Sequence, residues 1–312
     1  MTVLLADIGG TNTRCALGED DHRIGAPRIY RNREFAGIAD VLREFLATAG
    51  RPDRVRRAVL AVAAPIRDDR VEMLNLPWRF SARELRGTLG LDSLKLLNDF
   101  AALAWALPGL GAQDLAPVGG GSAVPGFPKV VLGPGTGLGV ASLMPVRGGW
   151  QAIPGEGGHV TLAAQDDREE AVIRALRRRF GHCSAERVLS GTGLSLLHEA
   201  LHGEAGVDAA EIGRRATSGD PVAAETLERF FRLLGSVAGN VALTLGAFGG
   251  VYIGGGIAPR YIDQLRRCGF RDSFEAKGRY RDYLRAIPTL VITAANPALT
   301  GLLAYDAASR GA

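Results

Sequence analysis

Cysteine is scarce in this chain of 312 residues: Cys15, Cys183 and Cys268 are odd in number and far apart. Such a set draws neither a disulfide framework nor a C-x-x-C metal knuckle, so a reducing compartment is the expected setting. No Gly-Lys dipeptide occurs, which excludes the G-x-x-x-x-G-K-[ST] phosphate loop. Ahead of Asp7 the only apolar run is residues 3–6, too short for a signal-peptide core, so no export is expected and the cytoplasm is the expected location. Lysine is rare, and the cations behind the net charge of +4 are mostly arginines spread along the chain. A nucleic-acid footprint needs clustering, so no nucleic-acid partner is expected. The densest run, Arg174, Arg177, Arg178 and Arg179, follows Glu169 and Glu170 in a segment with helical spacing and reads as a solvated helix face. Charge is missing altogether from residues 233–259. That length suggests a membrane span, but glycines at 235, 239, 246, 249, 250 and 254–256 break it and its period changes from helical to strand-like. No membrane partner is expected.

What is present is an ordinary folding composition, 46% hydrophobic and 22% charged, in a chain long enough for two domains. Residues 3–17 and 129–143 each read as strand, glycine turn and strand, so two domains are expected to begin alike. The expected division is a small α/β domain over 1–110, with a C-terminal helix at about 298–312 packing back on it, and a large α+β domain over 111–297. The glycine- and proline-rich stretch 108–128 is the candidate boundary. In the first part, helices are expected at 36–49, at 81–89 with Ser81 and Glu84 as a capping box, and at 100–107. Strands are expected at 57–63 and 94–97. The second part carries helical patterns at 169–180, 184–188, 193–201 and 221–245, then a strand at 251–253 and a helix with Pro259 near its start.

Glycine turns at hairpin tips suit phosphate, because without Cβ atoms successive N–H groups converge on one anion. Asp-Ile-Gly-Gly-Thr-Asn at 7–12 and Gly-Pro-Gly-Thr-Gly at 133–137 are both of this kind, and each has a threonine hydroxyl beside its glycines. Two ligand-free β-turns are the alternative. The dinucleotide fingerprint does not fit, since the glycines from Gly133 onward recur every second residue and are flanked by strands. A third cluster at 254–256 is either a flat seat for adenine or ribose, or a plain β–α turn.

Six blocks together carry a resemblance. These are Asp-Ile-Gly-Gly-Thr-Asn at 7–12, Leu-Asn-Asp-Phe at 97–100, Gly-Pro-Gly-Thr-Gly-Leu-Gly at 133–139, Pro-Gly-Glu-Gly-Gly-His at 154–159, Ser-Ala-Glu-Arg-Val-Leu-Ser-Gly at 184–191 and Gly-Gly-Gly-Ile at 254–257. In that order the chain resembles the bacterial glucokinase family. The resemblance implies two ribonuclease-H-like domains of the actin and hexokinase type flanking a cleft, each starting with a β-hairpin phosphate loop. It implies ATP as cosubstrate with Mg²⁺, glucose as acceptor and a homodimer. Asp7 would hold Mg²⁺ through water. Gly9, Gly10, Thr11 and Asn12, with Gly135, Thr136 and Gly137, would cradle phosphates, and Gly254, Gly255 and Gly256 would seat the nucleoside.

Asp99 would take the proton from the sugar hydroxyl; its alternative is an N-cap for a helix beginning at Phe100. Asn98 would orient Asp99 or a sugar hydroxyl. Glu156, His159 and Glu186, with Gly137, would meet the sugar; Glu186 has a surface ion pair with Arg187 as its alternative. His159 reads as a zinc ligand in related folds, but no cysteine cluster follows it here. The remaining histidines, His22, His182, His198 and His202, are expected at the surface or at caps. Arg14 stays unassigned between a phosphate contact and a structural pair.

Three other readings use the same fold. A kinase for mannose or fructose differs only in a few contacts. A sugar-responsive regulator needs a helix-turn-helix, for which residues 1–6 leave no room. A nucleotide-dependent scaffold would have no use for Glu156 and His159 in a glycine loop.

Overall fold

A computed structural model describes residues 2–20, 23–49, 55–64, 66–73 and 76–311. His22 lies outside them. The chain forms two compact units: one comprises Met1–Leu110, Arg147–Ala152 and Ala295–Ala312, the other Gly111–Val146 and Ile153–Ala294.

The first unit is built on strands β1 (Thr2–Ile8), β2 (Asn12–Gly18), β3 (Arg28–Arg31) and β4 (Val55–Val62), and on β8 (Ser93–Asn98) further along the chain. The small strands β5 (Ile66–Arg67), β6 (Arg70–Glu72) and β7 (Arg79–Ser81) make a separate three-stranded sheet. The main sheet has the order β3-β2-β1-β4-β8. Strands β1, β4 and β8 run parallel, and β2 returns antiparallel beside β1. A parallel strand with helices on both faces needs an unbroken apolar run, which β1 supplies with Val3, Leu4, Leu5 and Ala6, all buried. Leu4, Ala6 and Ile8 pack with Val41, Leu42 and Phe45 of α1 (Ile38–Thr48).

Helix α2 (Ala82–Thr88) has Ser81 as N-cap, accepting from Glu84 N–H at 3.2 Å. The reciprocal half of the expected capping box does not form, because Ser81 pairs in β7 and its hydroxyl donates to Asp69. Helix α3 (Asp99–Ala106) carries α12 (Pro297–Gly311) on its back. Gly301 permits this, since a Cβ there would fall 1.7 Å from Ala102 O. Arg57 holds α12 to β4 through Asp306 at 3.2 Å.

The second unit centres on strands β9 (Leu115–Gly119), β10 (Lys129–Pro134), β11 (Leu138–Val146), β13 (Val251–Ile253) and β14 (Thr289–Ile292); with β12 (Gly149–Gly155), of which only residues 153–155 are counted in this unit, they form a sheet in the order β12-β11-β10-β13-β14-β9. Strand β9 lies inside the stretch 108–128, which is therefore more than a connector. Its helices are α4 (Asp167–Phe180), α5 (Ala185–Val188), α6 (Gly191–His202), α7 (Ala209–Thr217), α8 (Pro221–Leu245), α9 (Ile262–Arg267), α10 (Phe270–Glu275) and α11 (Arg281–Arg285). The pattern around Pro259 forms only a 3₁₀ turn, Ala258–Arg260, ahead of α9.

Helix α8 starts with Asp220 as N-cap and Pro221 in the first turn, and stops at Gly246 in the left-handed region. Its glycines at 235 and 239 let α10 approach: a Cβ on either would fall within 2.5 Å of the Phe270 or Phe274 carbonyl oxygen. The charge-free segment is thus protein core, and among the described residues no helix is long and apolar enough to cross a membrane. The expectation for His198 is corrected here. It is fully buried, and its Nδ1 lies 2.8 Å from Thr226 Oγ1.

Candidate active site

In the first unit, β1 and β2 are joined by the turn at 9–11. Gly9 N–H donates to Asn12 O at 3.0 Å, and Asn32 takes two of the three turn carbonyls, donating from Nδ2 to Gly9 O at 2.8 Å and from its main-chain N–H to Thr11 O at 3.0 Å. Neither Gly9 nor Gly10 has positive φ. Gly9 serves by space instead: a Cβ there would sit 3.3 Å from Asn12 O.

Asp7, next to last in β1, is in register with Arg14, whose Nη1 lies 3.6 Å from Asp7 Oδ2. Burial raises the Asp7 carboxyl above the ordinary range, and the Arg14 charge opposes it. Arg14 therefore has a partner in its own sheet.

Asn98 closes β8 and Asp99 opens α3. Asn98 Oδ1 accepts from Phe100 N–H at 3.0 Å and Ala101 N–H at 3.3 Å, so Asn98 is the N-cap. The alternative of Asp99 as cap is off by one residue. Asp99 is the first helical residue, half-buried, and its Oδ1 also accepts from Phe100 N–H, at 2.9 Å. Registers across the parallel strands place Ile8 opposite Val62 and Val62 opposite Asn98. The end of β8 is therefore level with the end of β1 and two inter-strand spacings away, about 10 Å. Asp7, Gly9, Gly10, Thr11, Asn12, Asn98 and Asp99 come together at the carboxyl ends of β1 and β8, where open α/β sheets take ligands.

In the second unit, the turn at 135–137 joins β10 to β11, with Gly135 N–H donating to Gly137 O at 2.8 Å. Glu186 lies against it: its Oε2 accepts from Leu138 N–H at 2.8 Å, and a Cβ at Gly137 would fall 2.4 Å from that oxygen. The surface pair with Arg187 does not form, since Arg187 stacks on Phe180 at 4.2 Å. Residues 254–256 back onto the same strand. Gly254 N–H donates to Leu132 O at 2.8 Å, and a Cβ at Gly133 would lie 2.3 Å from the Gly254 carbonyl carbon. A Cβ at Gly256 would meet nothing within 4 Å, which leaves that backbone open to a ligand.

Glu156 and His159 are exposed neighbours, with Oε2 and Nε2 3.9 Å apart. Glu156 precedes the 3₁₀ turn Gly157–His159, and His159 ends it. The glycines there serve close packing on β11: a Cβ at Gly158 would fall 2.1 Å from Leu138 O. Residues after His159 then run beside those before Glu186, through Leu162 N–H to Cys183 O at 3.0 Å and Ala185 N–H to Val160 O at 2.9 Å. Gly135, Thr136, Gly137, Glu156, His159, Glu186, Gly254, Gly255 and Gly256 are thus gathered within the second unit.

Two contributors escape sequence reasoning. Asn32 has no local signal, because its partners lie 19 and 23 residues away. The start of α6 is the other: Ser190 caps it, accepting from Gly193 N–H at 3.0 Å, while Gly191 N–H donates to Gly135 O at 2.8 Å. Ser190 and Gly191 end the fifth sequence block, which was the available signal. A cavity of about 240 Å³ lined by Ala216, Leu227, Glu228, Asp263 and Arg267 shares no residue with the site. Among the described residues no group of three or more His, Cys, Asp and Glu is arranged to hold a metal by itself.

A family model described as Glucokinase matches residues 4–309. A glucokinase from Chromobacterium violaceum is 49% identical over 97% of this chain and 88% of its own length. A relative named Bifunctional protein glk, from Paraburkholderia xenovorans, is 45% identical over 96% of this chain but only 48% of its own length. The chain spans about half the length of that and other bifunctional curated relatives it matches. Among solved structures, the glucokinase of an Antarctic psychrotroph is similar with a TM-score of 0.87 and 36% identity, covering 97% of this chain and 98% of that one. The mixed α/β architecture with more than one sheet is that of the actin-like ATPases, as the resemblance implied. With a family match over nearly all its length and a relative about half identical, the chain belongs to the Glucokinase family.

Proposed function

We propose that this protein transfers the γ-phosphoryl group of ATP to the 6-hydroxyl of glucose, giving ADP and glucose 6-phosphate. The observation that supports the reading is the level row Ile8, Val62 and Asn98, which brings Asp99 and a glycine turn to the same end of one sheet. Phosphoryl transfer asks a protein mainly for positioning and charge neutralisation, and this end of the sheet holds groups for both.

Asp99 accepts the hydroxyl proton as the new O–P bond forms. A carboxylate is a weak base toward an alcohol, so the proton moves late, when the attacking oxygen has become acidic. Asn98 has its Oδ1 committed to α3, so it offers Nδ2 as a donor to a sugar oxygen. The amides and hydroxyls of Gly9, Gly10, Thr11 and Asn12, and those of Gly135, Thr136 and Gly137, grip phosphate oxygens, while residues 254–256 give a side-chain-free seat for the nucleoside. Glu156, His159 and Glu186 take sugar hydroxyls. Leu138 N–H occupies Glu186 Oε2, and Oε1 has no partner among the described residues. A carboxylate that the bound sugar shuts off from water, and that the wrong epimer leaves short of a hydroxyl, costs affinity, which favours glucose over its epimers.

A single half-buried carboxylate, Asp7, suits Mg²⁺, which keeps most of its water and takes phosphate oxygens as further ligands. When bound, the ion neutralises charge on the β- and γ-phosphates. Free thiols at Cys15, Cys183 and Cys268 support a cytoplasmic setting, and a homodimer is what the resemblance implies for the assembly.

The test is ADP release over a panel of hexoses with the Asp99→Asn variant alongside. Glucose should be preferred, and the variant should lose about 10³-fold in kcat while still binding ATP. Unchanged turnover in the variant removes Asp99 from the mechanism; activity with another hexose alone moves the substrate and keeps the reaction class.

A further inference from the structure

Asn32 follows the edge strand β3 and is almost fully buried, at 1% exposure, as is its partner Thr13 at 0%. A buried amide is costly unless its donors and acceptor are used. Here they are used on one target. Nδ2 donates to Gly9 O at 2.8 Å, Oδ1 accepts from Thr13 Oγ1 at 2.8 Å, and the main-chain N–H donates to Thr11 O at 3.0 Å. Every partner belongs to the turn at 9–11 or to the strand that leaves it.

The consequence is electrostatic. A peptide turn presents both carbonyl oxygens and N–H groups, and a phosphate is repelled by the first and held by the second. Asn32 engages the carbonyls of Gly9 and Thr11, while the N–H groups of Gly10 and Thr11 have no hydrogen-bond partner among the described residues. The side that Asn32 occupies is the wrong side for an anion, and the donors left over are the right ones.

We propose that Asn32 is a positioning residue for the nucleotide: it pins the Gly9 and Thr11 carbonyls back so that the Gly10 and Thr11 amides face the ATP phosphates. The inference rests on reading the turn at 9–11 as an ATP-phosphate loop. Asn32 touches no reacting atom and acts only through the turn. Its effect is therefore expected on nucleotide affinity and not on sugar affinity, which a general loss of structure would not distinguish.

The test measures ADP dissociation constants by calorimetry and KM for ATP and for glucose separately, in Asn32→Asp, Thr13→Val and Thr11→Ala. Asn32→Asp keeps size but puts an oxygen where Nδ2 faces Gly9 O. It should weaken ADP binding and raise KM for ATP roughly 10-fold or more, with KM for glucose changed less than about 2-fold. Thr13→Val, nearly isosteric, removes one of the bonds that orient the amide and should show the same selectivity at about 3-fold; it carries the test if Asn32→Asp does not fold. Equal changes for both substrates, or no change for ATP in folded variants, overturn the role of Asn32. Thr11→Ala separates this from the parent reading. If it too leaves ADP affinity unchanged, the turn is no nucleotide site and the proposed function loses its phosphate loop. If it weakens ADP while Asn32→Asp does not, only the role of Asn32 falls.

Discussion

The turns at 9–11 and 135–137 close β-hairpins of similar sequence, one in each unit, yet they are braced by different means. The first leans on one residue, Asn32, which follows an edge strand and holds the turn by its side-chain amide and by its own main-chain N–H. The second is hemmed by main chain from two directions, Gly254 beside Gly133 and Gly191 on Gly135, with the Glu186 carboxylate on its flank. A side-chain brace is a matter of hydrogen-bond energy and can be tuned by substitution. A main-chain brace is a matter of excluded volume, and at Gly133, where it is closest, it tolerates no added atom. Glycines at two hairpin tips thus serve different physical purposes, and the position of intolerance should differ between the turns.

The strongest way to break this contrast is to add one methyl group to each hairpin. In Gly133→Ala the new Cβ would lie 2.3 Å from the Gly254 carbonyl carbon and 2.7 Å from Gly255 N, and neither strand end can move without disrupting the sheet. The expected loss is about 3 kcal/mol of unfolding free energy, at the upper end for overpacking. In Gly9→Ala the nearest atom is Asn12 O at 3.3 Å, so a small shift suffices and the loss should stay below about 1 kcal/mol. Urea midpoints of the two variants decide the matter, and equal losses would erase the distinction.

A finer probe is Glu186→Gln. The amide oxygen can still accept from Leu138 N–H, so the flank of the second turn survives and stability should change by less than about 1 kcal/mol. The lost charge removes the strong acceptor assigned to a sugar hydroxyl, and KM for glucose should rise roughly 10-fold with KM for ATP little altered. A fall in stability with unchanged glucose KM would make Glu186 a brace and nothing more.

Sequence reasoning reaches the elements whose signals are local. Helix α8 announces itself with Asp220 and Pro221 at one end and Gly246 at the other, and β13 with three apolar residues between glycine pairs. The six blocks are local as well, which is why their residues cluster within each unit. Elements held by distant contacts stay hidden. Helix α7 buries only Ile212 and Gly213, and Gly213 is there to admit Tyr261, whose hydroxyl would lie 1.7 Å from a Cβ at that position. Strands of two or three residues at 66–81 are too short to show a period. His198 looks like a surface residue by type, and only Thr226 and Glu204, 28 and 6 residues on, make its burial tolerable. The glycines around Glu156 let the loop lie flat on β11, a packing role that no local pattern reveals, and Glu156 itself is exposed.

The smallest expected effect comes from pH and again separates the turns, since Asn32 does not titrate whereas α6, which holds Gly135, carries two histidines. His198 Nδ1 and His202 Nε2 both meet Thr226 Oγ1 of α8, at 2.8 and 3.1 Å, and His198 Nε2 lies 3.2 Å from Glu204. Arg215 of α7 pairs with Glu204 at 2.9 Å; Glu225 and Asp220 from α8 and its cap, and Arg168 from α4, complete the charges around His202. Burial first, and then the neighbouring His198, lower the His202 pKa below its ordinary 6.5. The unfolded chain therefore takes the proton first. The contribution of His202 to stability is complete above about pH 6.5 and is lost as pH falls toward the lower folded value. Urea midpoints of the parent protein and of His202→Gln should therefore converge between pH 7.5 and 5.5, by an amount small beside that of Gly133→Ala. A gap between them that stays constant across this range would mean that α6 is held by packing alone, and that both turns are equally indifferent to protons.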